Sequence, residues 1–211
     1  MSESDLTAQL NRKPPMTRKL EFFFDVGSPT AYLAWTQLPA LCAETGATLV
    51  YRPMLLGAVF QATGNASPVA VPAKGRYMMA DIPRFAARYG VAFAHNPAFP
   101  INTLMLMRAA AGMQLRLPER FDAYVRAVFT ALWAERRNLN DPAVLAATLQ
   151  AASFDPAEML ALASDPAVKD ALRETTDEAV QRGVFGAPTM FVGDAMFFGQ
   201  DRLDFVREAL R

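Results

Sequence analysis

The chain has 211 residues, 52% of them hydrophobic and 20% charged, which suits one large globular unit or a smaller one carrying an insertion. Its 21 basic residues balance its 21 acidic ones, and that neutrality argues against a general nucleic-acid binder. Cys42 is the only cysteine and His95 the only histidine, so an intrachain disulfide and metal sites built on several Cys or His ligands are excluded. A reducing compartment, the cytoplasm, is the expected location.

The first fifteen residues are polar, end in Lys13-Pro14-Pro15 and hold no apolar run of signal-peptide length. They read as a disordered tail. Ordered chain is expected from near Met16, which can itself be the native start. No stretch reaches the roughly 18 to 20 apolar residues of a membrane span.

Residues 19–26, Lys-Leu-Glu-Phe-Phe-Phe-Asp-Val, predict a strand that ends at Gly27. Ser28-Pro29 then supplies an N-cap followed by proline at the first helical position. Tyr32, Leu33, Trp35, Leu38 and Leu41 give that helix an apolar face, and Pro39 predicts a kink or a break. Gly46 ends it, and 48–52 predicts a second strand, parallel to the first through a right-handed crossover.

Residues 57–76 are rich in Gly, Asn, Ser and Pro and read as a long loop. Only helical patterns follow, over 77–89, 102–113, 118–136, 141–152, 156–163 and 166–182. Asp141-Pro142, Asp155-Pro156 and Asp165-Pro166 are three cap-plus-proline helix starts. Residues 188–198 return to strand as a hairpin about Gly193-Asp194. A last helix starts near Asp201, with Leu203, Val206 and Leu210 on one face. The order β-α-β, helices, β-β-α makes one α/β sheet unit from 17–62 and 180–211, interrupted by a helical insertion over 63–179.

Several residues have plain structural readings. Cys42, beside Leu41, suits a buried small hydrophobe. His95 reads as a loop residue. Met78, Met79, Met105 and Met107 read as packing residues, and Phe129 and Trp133 as packing within the insertion. Glu135-Arg136-Arg137 reads as a solvated helix end.

Three places in the sheet unit carry chemistry: Ser28 at a strand-to-helix turn, Ala187-Pro188 at the entry to the third strand, and Gln200-Asp201 before the last helix. Free N–H groups and the helix dipole make the first a place for an anion. Taken alone, Ser28 can also be a cap and nothing more.

This arrangement resembles the thioredoxin superfamily, and the long helical insertion resembles its DsbA-like branch. In those proteins a Cys-x-x-Cys motif opens the first helix and a cis-proline faces it. The matching tetrad is Ser28-Pro29-Thr30-Ala31, so dithiol–disulfide exchange within this chain cannot occur. Phe24-Asp25-Val26-Gly27-Ser28-Pro29 further resembles the opening motif of 2-hydroxychromene-2-carboxylate isomerases and kappa-class glutathione transferases. Similar to the same family are Arg52-Pro53-Met54-Leu55-Leu56, Thr63-Gly64-Asn65, Pro72-Ala73-Lys74-Gly75-Arg76-Tyr77-Met78, Gly186-Ala187-Pro188-Thr189 and Phe198-Gly199-Gln200-Asp201-Arg202-Leu203.

The resemblance implies a thioredoxin-like α/β fold with a large helical insertion, and glutathione as cofactor. Ser28 would hydrogen-bond the glutathione sulfur. Asn65 and Lys74 would hold its glycine end or backbone, and Ala187, beside a cis Pro188, would pair with its cysteinyl unit. Gln200 and Asp201 would hold the γ-glutamyl end, although the family often carries Ser or Asn where Gln200 stands. The physics agrees in sign. A free thiol of pKa ~8.5 is only about 3% thiolate at neutral pH, and a helix N-terminus with a hydroxyl donor favours the charged form. Lys74 and Asp201 have the charges that glutathione's carboxylates and ammonium need.

The function implied is a glutathione-dependent isomerase of 2-hydroxychromene-2-carboxylate-like aromatic substrates. The alternatives are a kappa-type transferase or peroxidase, and a non-catalytic glutathione- or protein-binding module. Met54, Phe60 and the Phe99–Met107 stretch are the candidate lining for the aromatic ring. A homodimer is expected from the family, with no membrane or nucleic-acid partner.

Overall fold

The computed structural model describes residues 18–211. The expected tail and the proposed start at Met16 lie outside the described residues. Strand β1 (Lys19–Phe24) is central in a four-stranded sheet of order β2-β1-β3-β4. It pairs parallel with β2 (Thr48–Pro53), Lys19 opposite Thr48 and Phe24 opposite Pro53. It pairs antiparallel with β3 (Thr189–Val192), Leu20 opposite Val192. Strand β4 (Ala195–Phe198) closes a hairpin with β3 across Gly193-Asp194, where Gly193 takes φ +59°.

The aromatic run explains the central place of β1. Alternate side chains point to opposite faces, and a strand apolar on both sides must be covered on both. Phe22 and Phe24 meet Tyr51 on one face, and Phe24 also meets Phe129. Phe23 meets Phe191 on the other. All three phenylalanines of β1 are fully buried.

The first connection is α1 (Pro29–Thr45). It does not break at Pro39, which is exposed, so the ring displaces water rather than packed side chains. The expected loop over 57–76 is corrected. It holds α2 (Leu56–Thr63), a 3₁₀ turn (Pro68–Ala70) and the first residues of α3 (Pro72–Tyr89). Val59 anchors α2 in the core, and Pro72 opens α3 five residues before the expected start at Tyr77. Loop-like composition concealed a short helix with one buried side.

The remaining helices are α4 (Leu104–Arg116), α5 (Phe121–Trp133), α6 (Pro142–Ala151), α7 (Pro156–Ser164), α8 (Pro166–Gln181) and α9 (Leu203–Ala209). The three Asp-Pro starts are observed. The Asp141, Asp155 and Asp165 side chains accept from Ala143, Ala157 and Ala167 N–H at 2.8, 2.7 and 2.9 Å. Helix α5 stops at Trp133, short of the expected 136, and Arg136 takes φ +60°.

Two arginines bind α8 to the sheet. Glu21 of β1 pairs with Arg182 at 2.9 Å, and Arg52 of β2 pairs with Glu178. The Arg182 guanidinium lies 3.9 Å from the Phe191 ring centroid. One continuous cluster of buried apolar side chains runs from β1 and α1 through α4 and α5 to α8 and α9. Cys42 is buried within it, and burial pushes its thiol pKa up to about 11.

Pro83 stands inside α3 and removes the N–H that would bond to Met79. His95, from the following loop, supplies the replacement, its Nε2–H donating to the Met79 carbonyl at 2.7 Å.

Candidate active site

Beyond Phe24 the chain leaves the sheet, and its backbone groups must find other partners if they stay buried. Side chains of the helical block supply them. Trp133 Nε1–H donates to the Val26 carbonyl at 2.8 Å, and the Val26 N–H donates to Met107 Sδ at 3.3 Å. Trp133 therefore does more than pack the insertion, and its i, i+4 spacing from Phe129 did not reveal the second task.

Asp25 ties the turn to two further elements. Its carboxylate accepts from Gly27 N–H at 2.9 Å, from Leu56 N–H at the start of α2 at 2.9 Å, and from the Thr103 hydroxyl at 3.0 Å. It is 1% exposed, and desolvation raises its pKa against the lowering effect of those three bonds. Gly27 is required by close approach, since a Cβ there would lie 2.8 Å from Thr103 Cγ2. The loop before α4 is thus held against the turn that presents Ser28.

Ser28 caps α1, its Oγ accepting from Ala31 N–H at 3.1 Å. The same oxygen lies 3.0 Å from the Ala187 carbonyl and 3.0 Å from Thr30 Oγ1. Thr30 Oγ1 is in turn 3.1 Å from the Ala187 carbonyl. The Ala187–Pro188 peptide is cis, as the resemblance implies. No acidic residue stands in the first turn of α1, so the positive end of its dipole is left for an anion.

The Ala187 segment is fixed from several sides. Asn65, just past α2, donates its amide to the Phe185 carbonyl at 2.8 Å. Gly199 N–H donates to the Pro188 carbonyl at 3.0 Å, and Thr189 Oγ1 donates to the Gly186 carbonyl at 2.8 Å. A Cβ on Gly186 would meet the Phe198 ring at 2.7 Å, so glycine lets that ring lie on the loop.

Ser28 therefore meets Ala187, the residue before the cis proline, directly, and Asn65 is tied to Phe185, two residues earlier. Gln200 is 7% exposed, and its main-chain carbonyl accepts from the Tyr89 hydroxyl at 2.6 Å. Asp201 pairs with Arg202 at 2.7 Å and borders a cleft of about 240 Å³ between α1, α3 and α9. Lys74 is exposed in the first turn of α3. Among the described residues no hydrogen bond or ion pair joins Lys74 or Asp201 to Ser28. Two expected lining residues need correction, because Met54 and Met107 are fully buried beneath the site. Ile101 and Thr103 are the residues of the 99–107 stretch that stand against Gly27.

Asp25 and Thr30 were not singled out from sequence. A lone acid closing the run Phe-Phe-Phe was a usable signal for Asp25. Nothing local marked Met107 or Trp133, whose partners lie 81 and 107 residues away.

The DSBA-like thioredoxin domain model matches residues 19–211. The chain belongs to the DsbA-like thioredoxin family. Within it, the chain is 34% identical over 197 residues to a 2-hydroxychromene-2-carboxylate isomerase of Sphingobium xenophagum, covering 92% of this chain and 99% of the relative. It is 27% identical to Homo sapiens glutathione S-transferase kappa 1, covering 93% of this chain and 92% of that one. A solved 2-hydroxychromene-2-carboxylate isomerase superposes with a TM-score of 0.77 at 31% identity, covering 91% of this chain and 94% of the other. The chain is thus an enzyme of the isomerase and kappa-transferase branch. Among the described residues there is no group of three or more His, Cys, Asp or Glu suited to a metal, and no helix long and apolar enough to cross a membrane.

Proposed function

We propose that this chain is a glutathione-dependent isomerase of aromatic substrates of the 2-hydroxychromene-2-carboxylate type. The observation that carries the reading is the Ser28 hydroxyl at the start of α1, 3.0 Å from the carbonyl of Ala187 beside the cis proline. A hydroxyl in the place of a redox thiol can bind a sulfur but cannot exchange with it.

The donor set suits glutathione. Ser28 donates to the sulfur, and the dipole of α1 favours its anionic form. Ala187 pairs main chain to main chain with the cysteinyl unit through its N–H, its carbonyl staying with the hydroxyls of Ser28 and Thr30. Asn65 and Lys74 would hold the glycine end, and Gln200 and Asp201 the γ-glutamyl end, with the Asp201 carboxylate as the partner of opposite charge for the ammonium. Asn65 also keeps the Ala187 segment in place through Phe185. When bound, glutathione would supply a thiol nucleophile for reversible addition to a substrate carbon, the chemistry that isomerisation through ring opening and bond rotation calls for. The aromatic ring is assigned to the boundary between the sheet unit (17–62 and 180–211) and the helical insertion (63–179).

The reading extends to a cytoplasmic homodimer. A single buried cysteine supports the reducing compartment. The family supports the second copy, and Val69, Val71, Tyr77 and Met79 offer it exposed apolar surface. The kappa relatives, named as glutathione S-transferases, support a second reading, a transferase that consumes glutathione by conjugation.

A thermal-shift titration with glutathione tests the binding step. A ligand held only by the native state stabilises it by RT ln(1 + [L]/Kd), so the midpoint is expected to climb with concentration. No shift at millimolar glutathione contradicts both enzyme readings.

A further inference from the structure

Two hydroxyl protons and one carbonyl meet at the start of α1. Ser28 Oγ already accepts from Ala31 N–H at 3.1 Å. Its single proton can go to the Ala187 carbonyl at 3.0 Å or to Thr30 Oγ1 at 3.0 Å. Thr30 has one proton as well, and the same carbonyl lies 3.1 Å from its oxygen. The carbonyl therefore has two donors in reach. Ser28 is 5% exposed, and a buried polar group left without a partner is costly.

We infer that Thr30 is a positioning residue that frees the Ser28 proton for the sulfur. This rests on glutathione binding at Ser28. While the site holds no anion, both hydroxyls can serve the Ala187 carbonyl. When a thiolate lies at the end of α1, the Ser28 proton turns to it, and the Thr30 hydroxyl keeps the carbonyl satisfied. Ser28 then donates to sulfur while its oxygen still accepts from Ala31 N–H. Thr30 can take over the carbonyl without moving a heavy atom of its own, because its oxygen already lies 3.1 Å from the Ala187 carbonyl oxygen. With no hydroxyl at position 30, turning Ser28 toward sulfur would take the side-chain donor away from the carbonyl. Ser28 would then be held to Ala187, and the thiolate would lose part of its donor.

The test is a pH titration of the bound thiolate, followed by its ultraviolet absorbance, in wild type, Thr30→Val, Thr30→Ser and Ser28→Ala. Thr30→Val keeps the shape of the side chain and removes its hydroxyl. It is expected to raise the pH at which bound glutathione ionises and to lower kcat about tenfold. Calorimetric affinity for the thiol form, measured below that pH, is expected to stay within about twofold. Thr30→Ser is expected to restore both. In the Ser28→Ala background, Thr30→Val is expected to cause no further rise, because Thr30 acts through Ser28.

Wild-type titration in Thr30→Val overturns the inference, as does failure of Thr30→Ser to restore it. A further rise in the Ser28→Ala background also overturns it, since Thr30 would then touch the sulfur directly. Absence of calorimetric binding by wild type removes the functional reading as well, which separates that failure from a failure of Thr30 alone.

Discussion

The indole N–H of Trp133, the last residue of α5, donates to the carbonyl of Val26, two residues before Ser28, at 2.8 Å. The bond is buried and spans 107 residues of sequence. Trp133→Phe keeps most of the ring and leaves that carbonyl without its donor. The expected cost is about 2 kcal/mol of unfolding free energy in urea, with a fall in kcat as the Ser28 turn loosens. Unchanged stability would mean that the bond does not hold the turn.

Asp25 gives stability a pH dependence of known sign. Desolvation raises its folded pKa above the ordinary 3.8. The folded state therefore keeps its proton to higher pH than the unfolded chain does. The associated stability is full below the ordinary value and is lost as pH rises through the raised folded pKa. Asp25→Asn cannot ionise, so the stability difference between it and wild type is expected to move in its favour over that rise. A constant offset from altered hydrogen bonding would leave the slope intact. A difference independent of pH throughout acid and neutral solution contradicts this.

His95 and Pro83 are coupled through the Met79 carbonyl. His95→Ala is expected to cost about 1 kcal/mol in the wild-type background. In Pro83→Ala, the backbone N–H restored at position 83 can serve the carbonyl, and most of that cost is expected to vanish. Urea unfolding of the four proteins forms the cycle, and strict additivity would show the two residues to be independent.

Ser28→Ala separates capping from chemistry. Loss of the cap is expected to cost about 1 kcal/mol, a few degrees in Tm for a chain of this size. Loss of the donor to sulfur is expected to lower kcat about a hundredfold. Wild-type turnover in this variant removes the role given to Ser28.

The sheet unit was largely legible because its signals are local. A phenylalanine run, Ser28-Pro29 and a Gly193-Asp194 hairpin each act within a few residues. The three Asp-Pro caps were legible for the same reason. Helix α2 was not, because Gly57 and the polar sequence after Thr63 diluted the pattern around Val59. Ser28 and Pro188 were legible through a family resemblance, and the contact of Ser28 with Ala187, the residue before that proline, is a fact of the fold. The supports of Ser28 were hidden because they act across the chain: Asp25 on Leu56 and Thr103, Trp133 and Met107 on Val26. Thr30 was hidden differently. Its hydroxyl gains a task only when the Ala187 carbonyl lies beside it.

Ser28 caps α1 within hydrogen-bond distance of Ala187 at the cis proline, and the central proposal is that its hydroxyl holds a borrowed thiol without consuming it. The most direct measurement follows interconversion of a 2-hydroxychromene-2-carboxylate and its ring-opened isomer with glutathione limiting, while free thiol is titrated. The account predicts many turnovers per glutathione supplied, no net loss of thiol, and little reaction without it. Turnover that stops when an equal amount of glutathione has been consumed, or that proceeds at full rate in its absence, contradicts the claim.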